Sequence, residues 1–375
     1  MMKKLGAIFG LLALCVFSFA SDGGAGQAGA YLKMGVGARA LGMGGAFVAV
    51  SDDATASYWN PAGLAKLKKD QASFMHAKLK LDRNFDFINY VKKQGENQAI
   101  AFSVIRFGVD NIPETRIWRF DSSGNLKSNL TFGNPYYYID TATGDARAIP
   151  VTTTGANSEA TPPTVNPTYD NTWTKEQVEG VQAGGDSSSA LQTDIVGPEP
   201  VKIFSNFDDN EDTMFVSWSK GFDNLYLGAN FKYMTQSLFG YDADSFGMDI
   251  GLLYDYTSKL TFGLSIRDLF GEMKWDTPSK TADKIPVTTQ LGIAYRPMST
   301  WLIALDYNKV ENMSSEFYFG AEKAINDILS VRIGSNDSDF SAGLSFYNEE
   351  WVFEYAYAEQ ELGNIHRFST TRSFK

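Results

Sequence analysis

Two histidines, one cysteine and a run of carboxylates are the residues of this 375-residue chain that could do chemistry. His76 and His366 lie far apart in sequence, and each reads as a polar residue of an alternating strand rather than half of a proton relay. Serines such as Ser369 are plentiful, but no G-x-S-x-G elbow presents one as a nucleophile. One Cys and two His are too few soft ligands for zinc, and no intrachain disulfide can form. The run Asp208-Asp209-Asn210-Glu211-Asp212 could attract Ca²⁺, but it lacks a spaced ligand pattern and reads as a solvated acidic patch. Gly35-Val36-Gly37 and the Gly42–Gly45 cluster invite comparison with phosphate loops. No Gly falls three residues after Gly37, however, and no Lys-Ser/Thr follows Gly45. The expectation is a protein that is not an enzyme and uses no metal and no cofactor.

Composition narrows the class further. Lys and Arg number 33 against 44 Asp and Glu, a net charge of -11, which excludes the basic footprint of a nucleic-acid binder. A mean hydropathy of -0.22 excludes a bundle of membrane-spanning helices. It leaves a membrane barrel open, because only alternate barrel residues meet lipid. The N-terminus reads as an export signal over residues 1–20: Lys3 and Lys4, then the apolar run Leu5–Phe17, then Ser18-Phe19-Ala20 with cleavage expected after Ala20. Cys15 lies inside that segment, and Leu14 is too bulky for a lipoprotein site.

The elements that must position everything else are strands. From Asn224 onward, alternate residues form one apolar and one polar face. Leu225, Leu227, Ala229, Phe231 and Tyr233 oppose Gly228, Asn230 and Lys232; Phe246, Met248, Ile250, Leu252 and Tyr254 oppose Gly247, Asp249 and Gly251. The pattern recurs to the C-terminus, with Asp306, Arg332 and Glu354 on polar faces and aromatics near the ends of apolar ones. Fourteen strands can be counted from Gln71, the first three less cleanly because of Asp82, Asp86, Lys92 and Lys93. Connections alternate between tight turns (Gly95-Glu96-Asn97, Thr257-Ser258) and longer loops, among them Gln236–Ser245 and Leu269–Pro286. A soluble sandwich has no reason to keep that parity, whereas outer-membrane barrels do. The predicted fold class is therefore all-β, a transmembrane antiparallel β-barrel of about 14 strands over residues 71–375. Residues 121–211, with seven of the twelve prolines, are expected to form a long external acidic loop, in which Tyr136-Tyr137-Tyr138 and Trp173 could meet the barrel mouth or a partner.

Residues 21–70 remain, rich in Gly and Ala and suited to packing in a lumen as a plug. The run Tyr31–Ala65 resembles the N-terminal signature of PorV/PorQ-type outer-membrane proteins, and Asn60-Pro61-Ala62-Gly63-Leu64-Ala65 resembles the hatch motif of FadL-type fatty-acid transporters. The resemblance implies a fourteen-stranded barrel with an N-terminal hatch. The motif positions fall on Gly35, Gly37, Arg39, Gly42, Gly44, Gly45, Asp52, Asp53, Trp59, Asn60, Pro61 and Gly63, implied to shape the hatch rather than to catalyse. Gly363–Arg367 resembles the family's last strand, but the chain ends in Phe374-Lys375 rather than a terminal aromatic, and Arg372 falls on the Phe368 face. Two functions follow from the resemblance. One is a secretion-associated, type IX-like component that binds exported cargo proteins or translocon subunits. The other is a FadL-like channel for long-chain fatty acids or other hydrophobic small molecules. Either would sit in the outer membrane of a Gram-negative-type bacterium among its lipids, with no nucleic-acid partner.

Overall fold

The computed structural model describes residues 27–80, 82–117, 136–139, 146–149, 201–277, 280–337, 339–359 and 364–374. The expected signal 1–20, with Cys15, and most of the acidic insert, with Trp173, lie outside them. The chain divides into two compact units, one comprising residues 1–110 with 208–375 and the other 111–207. Within the second unit the strands β4 (Tyr136–Ile139) and β5 (Ala146–Ile149) pair as a hairpin.

The remaining strands build a barrel. In chain order they are β1 (Gln71–Lys78), β2 (Arg83–Lys93), β3 (Gln98–Ile117), β6 (Val201–Phe222), β7 (Leu225–Leu238), β8 (Tyr241–Asp255) and β9 (Leu260–Leu269). Two short strands, β10 (Glu272–Trp275) and β11 (Ala282–Lys284), precede β12 (Thr288–Tyr295), β13 (Trp301–Val310), β14 (Ser315–Ala324), β15 (Leu329–Asn336), β16 (Asp339–Asn348), β17 (Trp351–Ala358) and β18 (Ile365–Ser373). Each barrel strand pairs antiparallel with its neighbours, β1 with β18 and β8 with β9, so fourteen strands close on themselves. β10 and β11 continue the ladder outward from the far end of β8.

Alternation sorts the side chains as the sequence implies. Phe74, Ile88, Phe102, Trp218, Phe231, Ile250, Ile303, Phe319, Leu344 and Phe353 are exposed on the outside, while Ser73, Asn89, Ser217, Asn230, Asp306, Arg332 and Glu354 are buried inside. The first three strands acquire a definite register: Met75 and Ala77, Phe85 and Phe87, and Ala101 and Ile105 face inward. Asp82 sits in the β1–β2 turn at φ 52°, and Lys92 and Lys93 lie at the opposite end. Arg372 is also at that end, paired with Glu350 at 3.7 Å and laid over the Trp351 and Phe374 rings. Its alkyl stem crosses apolar surface while its charge reaches water.

Two boundaries differ from expectation. Gln236–Ser245 is not a loop: β7 and β8 run through it to a tight turn at Phe239-Gly240, where φ is 52° and 79°. Likewise β6 begins at Val201, so 201–211 is strand rather than loop. The acidic run is part of that strand. Glu211 is buried and Asp208 and Asn210 are exposed, so alternation divides the carboxylates between two faces instead of converging them on an ion.

Candidate functional site: the N-terminal segment against the barrel wall

Residues 27–70 form short helical turns linked by tight bends. Ala30–Lys33 is a 3-10 turn, α1 spans Ala38–Gly42, α2 spans Ala56–Trp59, and Pro61–Lys66 is a second 3-10 turn. Gly37 precedes α1 at φ 80°, and Gly44 and Gly45 stop the chain after it at φ 66° and 79°, a region open mainly to glycine. Asn60 caps the last turn by accepting a hydrogen bond from the Ala62 N–H at 3.2 Å, and Pro61 occupies its first position, where a missing N–H costs nothing. Nearly every residue from Val36 to Ala65 is buried.

The partners are inward-facing wall residues from strands all round the barrel. Arg39 carries the densest contact. Its Nη1 meets Asp52 at 2.6 Å and Asp53 at 3.1 Å, while Nε and Nη2 grip both oxygens of Glu322 on β14 at 2.9 and 3.0 Å. Its guanidinium also lies 5.4 Å from the Phe47 ring centre. Asp52 takes a second cation, Arg296, at 2.9 Å, and Glu322 takes Arg332 of β15 at 3.2 Å. From Arg332 the chain of contacts continues through Ser345, Glu354 and Ser369 to the Ala38 N–H. Burial opposes the charge on Arg39, yet Asp52 and Glu322 outweigh it and hold the guanidinium well above its ordinary range. The Asp52 carboxyl is pushed up by burial and pulled down further by Arg39 and Arg296, so it ends below the usual carboxylate range.

A second anchor uses backbone groups. Asp306 on β13 accepts the Phe47 and Val48 N–H groups at 2.8 and 2.9 Å, together with Gln290 at 3.1 Å. Asn60 donates to the carbonyls of Val48 at 3.0 Å and Leu252 of β8 at 3.0 Å. Asn230 donates to the Ser57 carbonyl at 2.7 Å, and Ser219 accepts the Ala65 N–H at 3.1 Å while donating to the Ala62 carbonyl at 2.9 Å. Trp59 Nε1 donates to the Val36 carbonyl at 2.9 Å, and the guanidinium of Arg267 stands 4.8 Å from the Tyr58 ring centre and 5.9 Å from that of Trp59.

Glycines in the wall let the two backbones touch. A Cβ on Gly228 would come within 2.3 Å of Ala62 N, one on Gly251 within 2.1 Å of Asn60 Oδ1, and one on Gly334 within 2.2 Å of Gly44 N. Gly263, Gly292 and Gly320 meet Val48, Ala49 and Met43 in the same manner.

All twelve motif positions thus belong to one packed segment, but they do separate work. Arg39, Asp52 and Asp53 converge. Trp59, Asn60 and Pro61 form the α2-to-turn corner. Gly35 packs on Trp59, Gly42 on Arg332, and a Cβ on Gly63 would collide with the Ser51 carbonyl. Sequence reasoning missed the wall half of the site. Asp306, Arg332 and Glu354 were legible as inward polar residues, but nothing paired them with residues 38–60, and the inward glycines were legible only as small.

The wall itself is irregular beside the segment. On β9 both Arg267 and Asp268 are buried, where strict alternation would carry Asp268 outward, and the β8–β9 register shifts between Met248 and Ile250. This bulge turns Asp268 into a cluster with Lys232 and Asp249: the ammonium lies 2.7 Å from Asp268 and 2.8 Å from Asp249. Two cavities flank the segment. One of about 520 Å³ is lined by Asp52, Lys66, Asp255, Thr261 and Arg296, at the end bearing the tight turns. The other, about 90 Å³, is lined by Lys33, Trp59, Arg267, Tyr318, Phe340 and Arg367, toward the opposite end. Among the described residues no group of three or more His, Cys, Asp and Glu side chains is arranged to hold a metal ion, and no helix is long and apolar enough to cross a membrane.

Residues 22–110 match the model of an uncharacterised protein family, UPF0164. No curated protein matches the sequence. Among solved structures, the chain is similar to a deltaS2S3 mutant of the monoaromatic hydrocarbon channel TodX, with 10% identity, 91% of this chain and 99% of that one covered, and a TM-score of 0.50. It is also similar to the toluene transporter TodX of Pseudomonas putida (9% identity, 90% and 96% covered, TM-score 0.49) and to a FadL homologue of Pseudomonas aeruginosa (10%, 88% and 96%, 0.47). The first of these supports the barrel fold.

Proposed function

We propose that this chain is an outer-membrane channel in which residues 27–70 act as a hatch and hydrophobic small molecules are the cargo. Export by residues 1–20 belongs to this reading, with the tight turns facing the periplasm. An apolar exterior over a polar interior suits lipid outside and water or a plug inside. The observation that carries the transport reading is the β8–β9 bulge. There the ladder loses regularity next to the hatch, over the Lys232–Asp249–Asp268 cluster and beside Arg267 on the Tyr58 and Trp59 rings. A wall weakened at that point gives an apolar molecule a lateral route that an unbroken ladder denies. The hatch is held by hydrogen bonds and ion pairs, which can be exchanged for water as it moves. The hydrocarbon channels similar in fold suggest the class of cargo.

A second reading, a platform for secreted proteins or secretion-system subunits, is favoured by how fully residues 36–65 are buried, since a plug need never move in a platform. One experiment separates the two. With Cys15 replaced by Ser, Ala65→Cys and Ser219→Cys are introduced where Ala65 N and Ser219 Oγ lie 3.1 Å apart. Entry of toluene and of oleate is then measured in cells with the pair oxidised and reduced. Entry that stops on oxidation and returns on reduction supports the hatch-gated channel. Entry equal in both states and in cells lacking the protein refutes it, and co-purification of exported proteins would then favour the platform.

A further inference from the structure

The outside of the barrel is not equally tall all round. Outward Lys92, Lys220, Lys323 and Arg372 lie one or two rungs from the tight-turn end of β2, β6, β14 and β18, and mark a common lower edge for the apolar belt. On β8 the outward apolar run extends from Tyr256 through Tyr254, Leu252, Ile250 and Met248 to Phe246. At 3.3 Å per residue and a tilt of about 40°, that run stands about 25 Å tall, the height of a membrane barrel's apolar band. On β2 the outward apolar run is Tyr90 and Ile88 alone, about 5 Å on the same conversion, and the charges that bound it, Lys92 and Asp86, stand about 15 Å apart. The neighbours agree. Outward residues of β1 change from Phe74 to His76 and Lys78, those of β18 from Phe368 to His366, and those of β3 from Phe102 and Val104 to Arg106.

These polar residues form one patch. Register sets His76 beside Asp86, Asp86 beside Arg106, and Lys78 beside His366. His76 Nδ1 is 2.7 Å from Asp86, Arg106 Nε is 2.8 Å from Asp212, and His366 Nδ1 is 2.7 Å from the Tyr355 hydroxyl. The side chains are open to the outside, His76 at 48% and Arg106 at 68%. Lys92 and Tyr254 each lie one residue inside the tight-turn end of their strand, so Asp86 and Met248, six residues further along, are matched in distance from that end, one a charge and the other a thioether.

From this asymmetry we propose that the β18–β1–β2–β3 wall binds a locally thinned bilayer. Water and the polar headgroups of the external leaflet descend about 10 Å along it, to the level of His76, Asp86 and His366, because the first outward polar residue stands six residues above Lys92 on β2 (Asp86) but ten above Tyr254 on β8 (Asp244). The patch has the form of a lowered belt edge rather than an island. It runs without an apolar interruption into Lys80, Arg83 and Asn84, where Arg83 Nε donates to the Lys80 carbonyl at 2.9 Å and Asn84 to Asp110 at 3.1 Å. Cations and anions balance along it, with Lys78, Lys80, Arg83 and Arg106 against Asp82, Asp86, Asp110 and Asp212, which suits water and zwitterionic headgroups. An island within hydrocarbon would instead indicate a surface buried by another protein.

Spin-label depth measurement tests this on the full chain with Cys15 replaced by Ser, reconstituted in dimyristoyl phosphatidylcholine vesicles. Labels are placed singly at Asp86→Cys and Met248→Cys, and at Ile88→Cys and Ile250→Cys as a second pair of equal height. The expected result is a several-fold higher ratio of nickel-complex to oxygen accessibility at position 86 than at 248, with 88 reading shallower than 250. Equal hydrocarbon readings at 86 and 248 would overturn the proposal. A label at 86 shielded from both nickel and oxygen would overturn it too, in favour of a protein partner or a second copy on that wall. As a complement, His76→Leu, Asp86→Leu, Arg106→Leu and Asp212→Leu together should move the vesicle thickness of most efficient folding toward longer acyl chains. An unchanged optimum would count against the proposal.

Discussion

Replacing Gly228 by Ala adds one methyl group to an inward position of β7 and should dislodge the hatch without disturbing the wall. The new Cβ would stand 2.3 Å from Ala62 N and from Pro61 C. Both are backbone atoms of a turn pinned by Asn60 and Ser219, so no rotamer change relieves the contact. Overpacking costs about 1–3 kcal/mol where side chains can adjust, and a rigid neighbour puts this site at the upper end. The strand tolerates Ala on β-propensity grounds, so the cost falls on hatch docking. At about 1.4 kcal/mol per tenfold, 2–3 kcal/mol raises the undocked population roughly 30- to 150-fold. Hydrogen exchange read by mass spectrometry on the detergent-solubilised protein should accelerate by that factor in peptides covering 56–67, while peptides of β13 to β16 keep wild-type rates. Gly251→Ala, whose Cβ would meet Asn60 Oδ1, should behave alike. Unchanged exchange in the hatch, or equal acceleration in the distant strands, would refute the packing argument.

Arg39→Met leaves Asp52, Asp53 and Glu322 without their shared cation and should destabilise hatch docking by about 3–5 kcal/mol, and Glu322→Gln on that background should recover part of the loss; a thermodynamic cycle on protease nicking rates checks both. Asp306→Asn weakens two hydrogen bonds from the Phe47 and Val48 N–H groups and should cost about 1.5–3 kcal/mol, read by exchange at those two amides. The pH response follows from Asp52. Its carboxyl is depressed in the docked state, so its stabilisation is fully present above the undocked value of about 4 and fades as pH falls through the lower docked value. The Asp52 share of the protection, taken as the difference from Asp52→Asn at each pH and corrected for intrinsic exchange, should therefore stay flat from neutral pH down to about 5 and decline below about 4.

How much was legible in the sequence depended on where the two faces of a strand differ. Alternation of apolar and polar residues identified the strands from Asn224 onward, because the barrel's outer face is apolar and its interior polar. It failed at Gln236–Ser245 and at 201–211, where β6, β7 and β8 run on past the apolar belt and Asp242, Asp244 and Asn210 occupy outward positions. A strand wetted on both faces carries no period-two signal. The bulge at Arg267-Asp268 was hidden for a related reason: two consecutive charges do not announce which of them breaks the pleat. In the N-terminal segment the motif marked Arg39, Asp52 and Asn60, but their wall partners lie hundreds of residues away. Glu322 and Gly228 became recognisable as contacts of that segment only once register had set them opposite it.

The most direct test of the account is single-channel current through planar bilayers containing the full-length protein, compared with a variant lacking residues 27–67. A fourteen-stranded wall sealed by a hatch should insert from surfactant and stay nearly silent, and removing the hatch should produce large, stable conductance steps. Equal conductance with and without residues 27–67, or failure of either protein to enter the bilayer, would contradict it.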